Sequence, residues 1–108
     1  MRPIPIELRE QMAKDPWYHA CCIGPKYCKG KIEWHHVWIY AGKQINEIWA
    51  IIPLCHFHHE KAGLHPFKER YELISLNSAS LEDLSKYPKK DWKQYHKYLI
   101  KYLKLDEK

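Results

Sequence analysis

The sequence predicts an α+β domain in which a two-stranded hairpin leads directly into a short helix, with further helices on both sides. Two segments are rich in β-branched and aromatic residues and read as strands, "IEWHHVWIY" and "EIWAIIPLC". Between them stands "AGKQIN", which supplies a turn, and after them comes "HFHHEKAG", a helix opening that Gly63 can end. Both predicted strands therefore precede most of the predicted helices in the chain.

The predicted N-terminal helix covers residues 5–15. Pro5 suits the first helical turn, where its missing N–H is not needed, and Pro16 ends the helix. Leu8 and Met12 are four residues apart and therefore share one face.

The C-terminal extension, about residues 80–105, is also predicted to be helical. Ser80 can cap "LEDLSKY", which Pro88 ends, and Asp91 with Gln94 resembles a capping box for a last helix. At about 100° per residue, one face of that helix is apolar and aromatic. This face contains Trp92, Tyr95, Leu99, Tyr102 and Leu103, and the opposite face contains Lys90, Lys93, Lys97, Lys101 and Lys104.

Length and composition indicate one globular domain, residues 1–108, with a core at about 20–65. Hydrophobic residues make up 45% of the chain, but no apolar run approaches a membrane span and no signal-peptide core is present. These observations predict an intracellular, cytoplasmic protein without a membrane partner. The net charge of +5 suggests a polyanionic partner, although charge alone is a weak signal.

Four cysteines in a reducing compartment are better read as metal ligands than as disulfides. Zinc takes four tetrahedral ligands, usually delivered as two close pairs. One pair is Cys55 with His58, whose spacing fits a strand-to-helix turn. The other is Cys22 with Cys28; Cys21 competes with Cys22, which we prefer slightly because it leaves the shorter loop. The simpler alternative is that the cysteines are small buried thiols.

The doublet His35-His36 suggests two different tasks. Consecutive residues of a regular strand face opposite ways, so both imidazoles cannot bind one ion. One of the two would bind a divalent cation together with His59 on the facing helix. The other would take a proton from water, since an unperturbed imidazole has a pKa near 6.5.

In its order of motifs, the segment at about residues 20–65 resembles the HNH endonucleases, in their zinc-knuckle subtype with the ββα-metal fold. The resemblance rests on a Cys pair, "EWHH", a hairpin and "PLCHFHHEK". It implies hydrolysis of DNA phosphodiester bonds, with His36 as general base and Glu33 as an acidic residue that assists catalysis. It also implies that His35 and His59 bind a catalytic Mg²⁺ or Mn²⁺, with Zn²⁺ or Ni²⁺ as alternatives, beside a structural Zn²⁺.

Two positions depart from the family pattern. Ala50 stands where the family has the Asn that braces the loop of the general base, and Asn46 or Gln44 are the candidate substitutes. Gly63 stands where many members have another metal ligand, and His65 is the nearest candidate for that role. These departures favour the rival reading of the chain, a non-catalytic zinc-finger-like DNA-binding module.

The predicted partner is DNA in either reading. Lys93, Lys97 and Lys101 can track a phosphate backbone, or they can form a solvated face that keeps the helix soluble. A homodimer would suit cleavage of both strands by symmetry. Compact nucleases of this family act in phage, restriction and recombination settings, so the resemblance allows a phage-encoded protein acting in a bacterial host.

Overall fold

The computed structural model describes residues 4–23 and 28–102, except for the side chain of Tyr102, and these residues form a mixed α+β structure, as predicted. The helices are α1 (Ile6–Ala13), α2 (His56–Glu60), α3 (Phe67–Ser78), α4 (Leu81–Ser85) and α5 (Trp92–Tyr102). The strands are β1 (Ile32–His36), β2 (Ile39–Tyr40), β3 (Lys43–Gln44) and β4 (Ile51–Cys55). Two short 3₁₀ helices cover Pro16–His19 and Ile48–Ala50.

The first predicted strand is divided into β1 and β2. The second is a strand only over Ile51–Cys55, because Ile48–Ala50 is a 3₁₀ helix, and β3 lies in the segment predicted as a turn. β1 pairs antiparallel with β4, in a register that runs from Ile32 opposite Cys55 to His36 opposite Ile51. β2 and β3 form a separate two-stranded ribbon at the tip of the hairpin. Ala41 and Gly42 both have positive φ, 53° and 80°, as the tight turns that join such short strands require.

β4 is the centre of the molecule, and all five of its residues are buried. Ile51 packs with Met12 and Tyr18, which belong to the N-terminal segment. Ile52 and Leu54 point the other way and pack with Tyr71 of α3. Because alternate strand residues face opposite sides, the N-terminal segment and α3 cover the two faces of a two-stranded sheet.

Helix α3 was not predicted from the sequence. Its buried face includes three residues with polar groups, Tyr71, Glu72 and Ser75, so the apolar repeat of an amphipathic helix is interrupted. These groups are satisfied by distant partners: the hydroxyl of Tyr71 donates to the carbonyl of His58, and that of Ser75 to the carbonyl of Trp49. Tertiary hydrogen bonds therefore allow a helix that sequence periodicity does not reveal.

The C-terminal helices follow the prediction in most respects. Ser80 caps α4 in a capping box with Asp83, and the N–H of Gln94 donates to Asp91 before α5. On α5, Trp92 and Leu99 are buried, Tyr95 is partly buried, and the predicted basic residues are exposed, namely Lys93, Lys97 and Lys101.

Lys90 departs from the predicted lysine face, since its ammonium lies 4.1 Å from the centroid of Tyr95 and also faces Trp38 and Trp92. Leu103, Lys104 and the side chain of Tyr102 lie outside the described part of the chain. None of the helices in residues 4–23 and 28–102 is long and apolar enough to cross a lipid bilayer.

Candidate metal centre and histidine cluster

Three cysteines and one histidine converge beside the start of α2. The ligand atoms of Cys21, Cys28, Cys55 and His58 all lie within 4.8 Å of one another. From Nδ1 of His58 the distances to the three Sγ atoms are 3.2 Å (Cys55), 3.4 Å (Cys21) and 3.6 Å (Cys28). Zn–S and Zn–N bonds of about 2.3 and 2.1 Å in a tetrahedron would separate S and N by about 3.5 Å. The cluster is therefore compatible with a zinc site.

The junction of β4 and α2 prepares half of this cluster. Cys55 is the N-cap of α2, and its Sγ accepts the backbone N–H of His58, one turn later. The chain on the other side of the cluster is attached to the same junction, because the N–H of Phe57 donates to the carbonyl of Lys29 and the N–H of Lys29 donates to Sγ of Cys55. Backbone hydrogen bonds thus bring Cys28 beside Cys55.

Cys21, and not Cys22, completes the group, which corrects the preference drawn from loop length. The N–H of Cys22 donates to the carbonyl of Pro53, and its side chain packs in the apolar cluster of Ile52 and Leu54. Burial, with a smaller contribution from the neighbouring Cys21, raises the pKa of the Cys22 thiol to about 12. Position, and not ionisation, separates Cys22 from the group, because the thiol of Cys28 has an equally raised pKa and still belongs to it.

The thiols of the cluster do not ionise with equal ease. Burial, followed by the contacts with Cys21 and Cys55, raises the pKa of Cys28 to about 12. Burial also opposes ionisation of Cys55, but N–H groups of His58 and Lys29 donate to its sulfur and lower its pKa to about 6. One thiolate is therefore stabilised by the protein itself, whereas three thiolates together would need a cation.

A second cluster lies between β1 and α2, centred on the carboxylate of Glu33. Its Oε1 is 2.5 Å from Nδ1 of His59, and its Oε2 is 3.0 Å from Nδ1 of His56. Nε2 of His56 is in turn 3.2 Å from Glu60. The hydrogen bonds from His59 and His56 lower the pKa of Glu33, so Glu33 stays a carboxylate. Nδ1 of His59 therefore donates to the carboxylate, which makes Nε2 the nitrogen that can face a cation.

His35 lies next to this cluster, on the same side of β1 as Glu33. Its ring centroid is 5.0 Å from that of His59 and 6.1 Å from that of Tyr71. Burial, with smaller contributions from His59 and His36, lowers the pKa of His35 to about 4. His35 is therefore neutral near pH 7 and offers a nitrogen lone pair.

His36 has a different neighbour. Its Nε2 is 2.6 Å from Oδ1 of Asn46, one of the two residues considered as substitutes for the asparagine absent at position 50. Ala50 itself is fully buried in the 3₁₀ helix. Gln44, the other candidate, has its Oε1 buried without a hydrogen-bond partner among the described residues. Since Asn46 accepts from Nε2, the lone pair of His36 is on Nδ1.

His65 is positioned two residues before helix α3. It is exposed at the start of α3, with Nδ1 3.1 Å from Glu69. In residues 4–23 and 28–102, the close groups of three or more metal-binding side chains comprise the Cys₃His cluster only. The role of His65 as a catalytic metal ligand therefore stays a prediction.

A cavity of about 260 Å³ opens between the hairpin and α3, and both histidines of the doublet border it. Lys68 and Glu72 of α3 lie on its other side. Glu72 is 5% exposed; its carboxylate accepts from Nζ of Lys68 at 2.8 Å and from the hydroxyl of Tyr95 at 2.6 Å. Sequence reasoning missed both residues because it missed α3, although a Lys and a Glu four positions apart are a helical signal.

Comparison of the chain with protein-family models, with curated proteins and with solved structures finds no match in any of the three.

Proposed function

We propose that the protein is a metal-dependent endonuclease of the HNH type that hydrolyses DNA phosphodiester bonds. One observation carries the proposal: the doublet is divided between two differently prepared sites. His35 lies beside the carboxylate-bound His59, whereas His36 is bound by Asn46. A metal ligand and a general base need this kind of division, since one needs a lone pair directed at a cation and the other a lone pair directed at water.

The Cys₃His cluster is proposed to hold a structural Zn²⁺. All four positions of a tetrahedron are supplied by protein, so no position is left for substrate. Its effect would be to attach the segment that carries Cys21 and Cys28 to the β4–α2 junction. A chain of 108 residues has a small core, and such a crosslink would contribute directly to its folding free energy.

The catalytic cation, Mg²⁺ or Mn²⁺ with Zn²⁺ or Ni²⁺ as alternatives, would be held by His35 and His59. Two imidazoles that share one ion have ring centroids roughly 5 Å apart, as these two do. Glu33 supports this arrangement by fixing the tautomer of His59, as carboxylates behind metal-binding histidines commonly do. When bound, the cation supplies neutralisation of the phosphate charge and of the leaving 3′ oxygen.

His36 is proposed to act as the general base through Nδ1. It would take a proton from the attacking water as the water oxygen bonds to phosphorus and the bond between phosphorus and the 3′ oxygen breaks. The 3′ oxygen then takes a proton from solvent, which leaves a 3′ hydroxyl and a 5′ phosphate. Asn46 holds the ring in the tautomer that this step requires.

DNA contacts outside the cleavage site are assigned to Lys93, Lys97 and Lys101. All three are exposed and lie along one face of α5, where each can neutralise one phosphate. Such contacts position a duplex without reading its sequence.

The second candidate function is a non-catalytic zinc-finger-like DNA-binding module. It is favoured by the fact that only the Cys₃His cluster forms a close metal-binding group within the described residues. Incubation of the protein with supercoiled plasmid and Mg²⁺ or Mn²⁺, with and without chelator, separates the two candidates. Metal-dependent nicking supports the nuclease, whereas retained binding without nicking under any of these metals supports the module.

A further inference from the structure

We infer that Lys68 binds a nonbridging oxygen of the scissile phosphate and that the buried Glu72 holds it in place for this contact. The inference rests on the proposed nuclease function and adds to it a substrate-contact residue on α3. Neither the hairpin nor α2, which supply the histidines, contains Lys68.

Lys68 borders the same 260 Å³ cavity as His35 and His36, but from the opposite wall. A phosphate that enters this cavity between the metal ligand and the general base would therefore have α3 on its other side. Lys68 is the one lysine among the residues that line the cavity.

The side chain of Glu72 is 6% exposed and that of Lys68 is 52% exposed, so the carboxylate is inside and the ammonium is at the cavity mouth. A buried carboxylate loses its hydration, and an apolar side chain at such a position is often as stable or more stable. The pair is thus poorly explained by stability, and well explained by the need to hold an ammonium in one place.

The two oxygens of the Glu72 carboxylate have different partners. The hydroxyl of Tyr95 donates to Oε1, and Nζ of Lys68 donates to Oε2. An ammonium has three donors, and this contact uses one of them. The other donors remain for phosphate oxygens, whose negative charge grows in the transition state, so a preorganised cation lowers the barrier.

The test compares Lys68→Met with the double variant Lys68→Met/Glu72→Gln. The single variant leaves Glu72 buried without its cation and should melt at a lower temperature. The double variant removes that charge and keeps a hydrogen-bond partner for Tyr95, so its melting temperature should return toward the wild-type value. Lys86→Met is the matched control, because Lys86 is also an exposed lysine near a carboxylate, Glu47, but lies away from the cavity.

The substrate is a small phosphodiester with a single phosphate, the p-nitrophenyl ester of thymidine 5′-monophosphate. Both Lys68 variants should lose about 100-fold in kcat, the typical effect of one preorganised donor, and Lys86→Met should cleave like wild type. Binding of thymidine 5′-monophosphate, measured by calorimetry, should weaken in both Lys68 variants and not in the control.

The outcomes separate this inference from the proposed function. A wild-type protein that cleaves neither the small ester nor DNA would overturn the nuclease and Lys68 together. An active wild type with an equally active double variant would leave the nuclease intact and overturn the role of Lys68. Loss of rate in the double variant, with restored melting temperature, supports the phosphate contact.

Discussion

Nε2 of His36 lies 2.6 Å from Oδ1 of Asn46, although ten positions and the whole β2–β3 ribbon separate the two residues. The contact gives the ring one tautomer, with its lone pair on Nδ1. We expect Asn46→Ala to lower kcat for DNA cleavage about fivefold, since one hydrogen bond is worth about 1 kcal/mol. Nicking rates of supercoiled plasmid measure this effect.

The control for Asn46 is a second His–Asn pair on the surface. Oδ1 of Asn77 lies 2.9 Å from Nε2 of His96, so Asn77→Ala removes the same kind of contact away from the doublet. It should leave kcat unchanged. Equal losses in the two variants would mean that the Asn46 contact has no special role.

Replacement of His36 separates chemistry from folding. We expect His36→Ala to melt near the wild-type temperature and to bind DNA normally, while kcat falls by about two to four orders of magnitude, the usual contribution of a general base. Normal cleavage by this variant would reject His36 as the base and make His35 the next candidate.

The two adjacent cysteines offer a paired test of the zinc site. Cys21→Ser should lose zinc and melt at a lower temperature, because Cys21 belongs to the cluster. Cys22→Ser should keep about one zinc per chain, since Cys22 is not one of the four residues of the cluster. Metal analysis by mass spectrometry after gentle purification measures the zinc content of both variants. Zinc that is retained in Cys21→Ser but lost in Cys22→Ser would make Cys22 the ligand.

The contact between Glu33 and His59 predicts a change in metal affinity. Glu33→Gln keeps the shape of the side chain but removes the charge that holds the proton on Nδ1 of His59. The affinity for activating Mn²⁺ should fall about 10- to 100-fold, the usual effect of losing such a partner, and zinc in the Cys₃His cluster should stay. Titration of nicking activity with Mn²⁺ measures the Mn²⁺ affinity, and metal analysis measures the zinc content. An unchanged Mn²⁺ dependence would show that Glu33 has no role in metal binding.

The exposed lysines of α5 predict a salt effect. Changing Lys93, Lys97 and Lys101 to Gln should weaken binding to all DNA sequences alike and reduce the log–log salt slope by about 0.9 for each lost phosphate contact. The melting temperature should stay the same, because Trp92 and Leu99 on the opposite face are untouched. Fluorescence anisotropy at several salt concentrations gives the slope. An unchanged slope would move the DNA contacts to other lysines, such as Lys31 and Lys29, whose backbone N–H donates to Sγ of Cys55.

The sequence by itself determined the features that depend on neighbouring residues. The strand-to-helix junction at Cys55, the capping box at Ser80 and the pairing of Cys55 with His58 each involve groups within one turn of each other. Local backbone conformation and hydrogen bonding are sufficient to specify such features, so their residue patterns are readable without a structure.

Only the tertiary structure decided the features that depend on distant partners. The choice of Cys21 over Cys22 accompanies a hydrogen bond from the N–H of Cys22 to the carbonyl of Pro53. The buried polar face of α3 depends on hydrogen bonds to the backbone carbonyls of His58 and Trp49. The contact of Asn46 with His36 likewise depends on how the ribbon folds back. In each case a long-range hydrogen bond satisfies a polar group whose partner no local pattern can name, which is why these features were open or missed until the chain was folded.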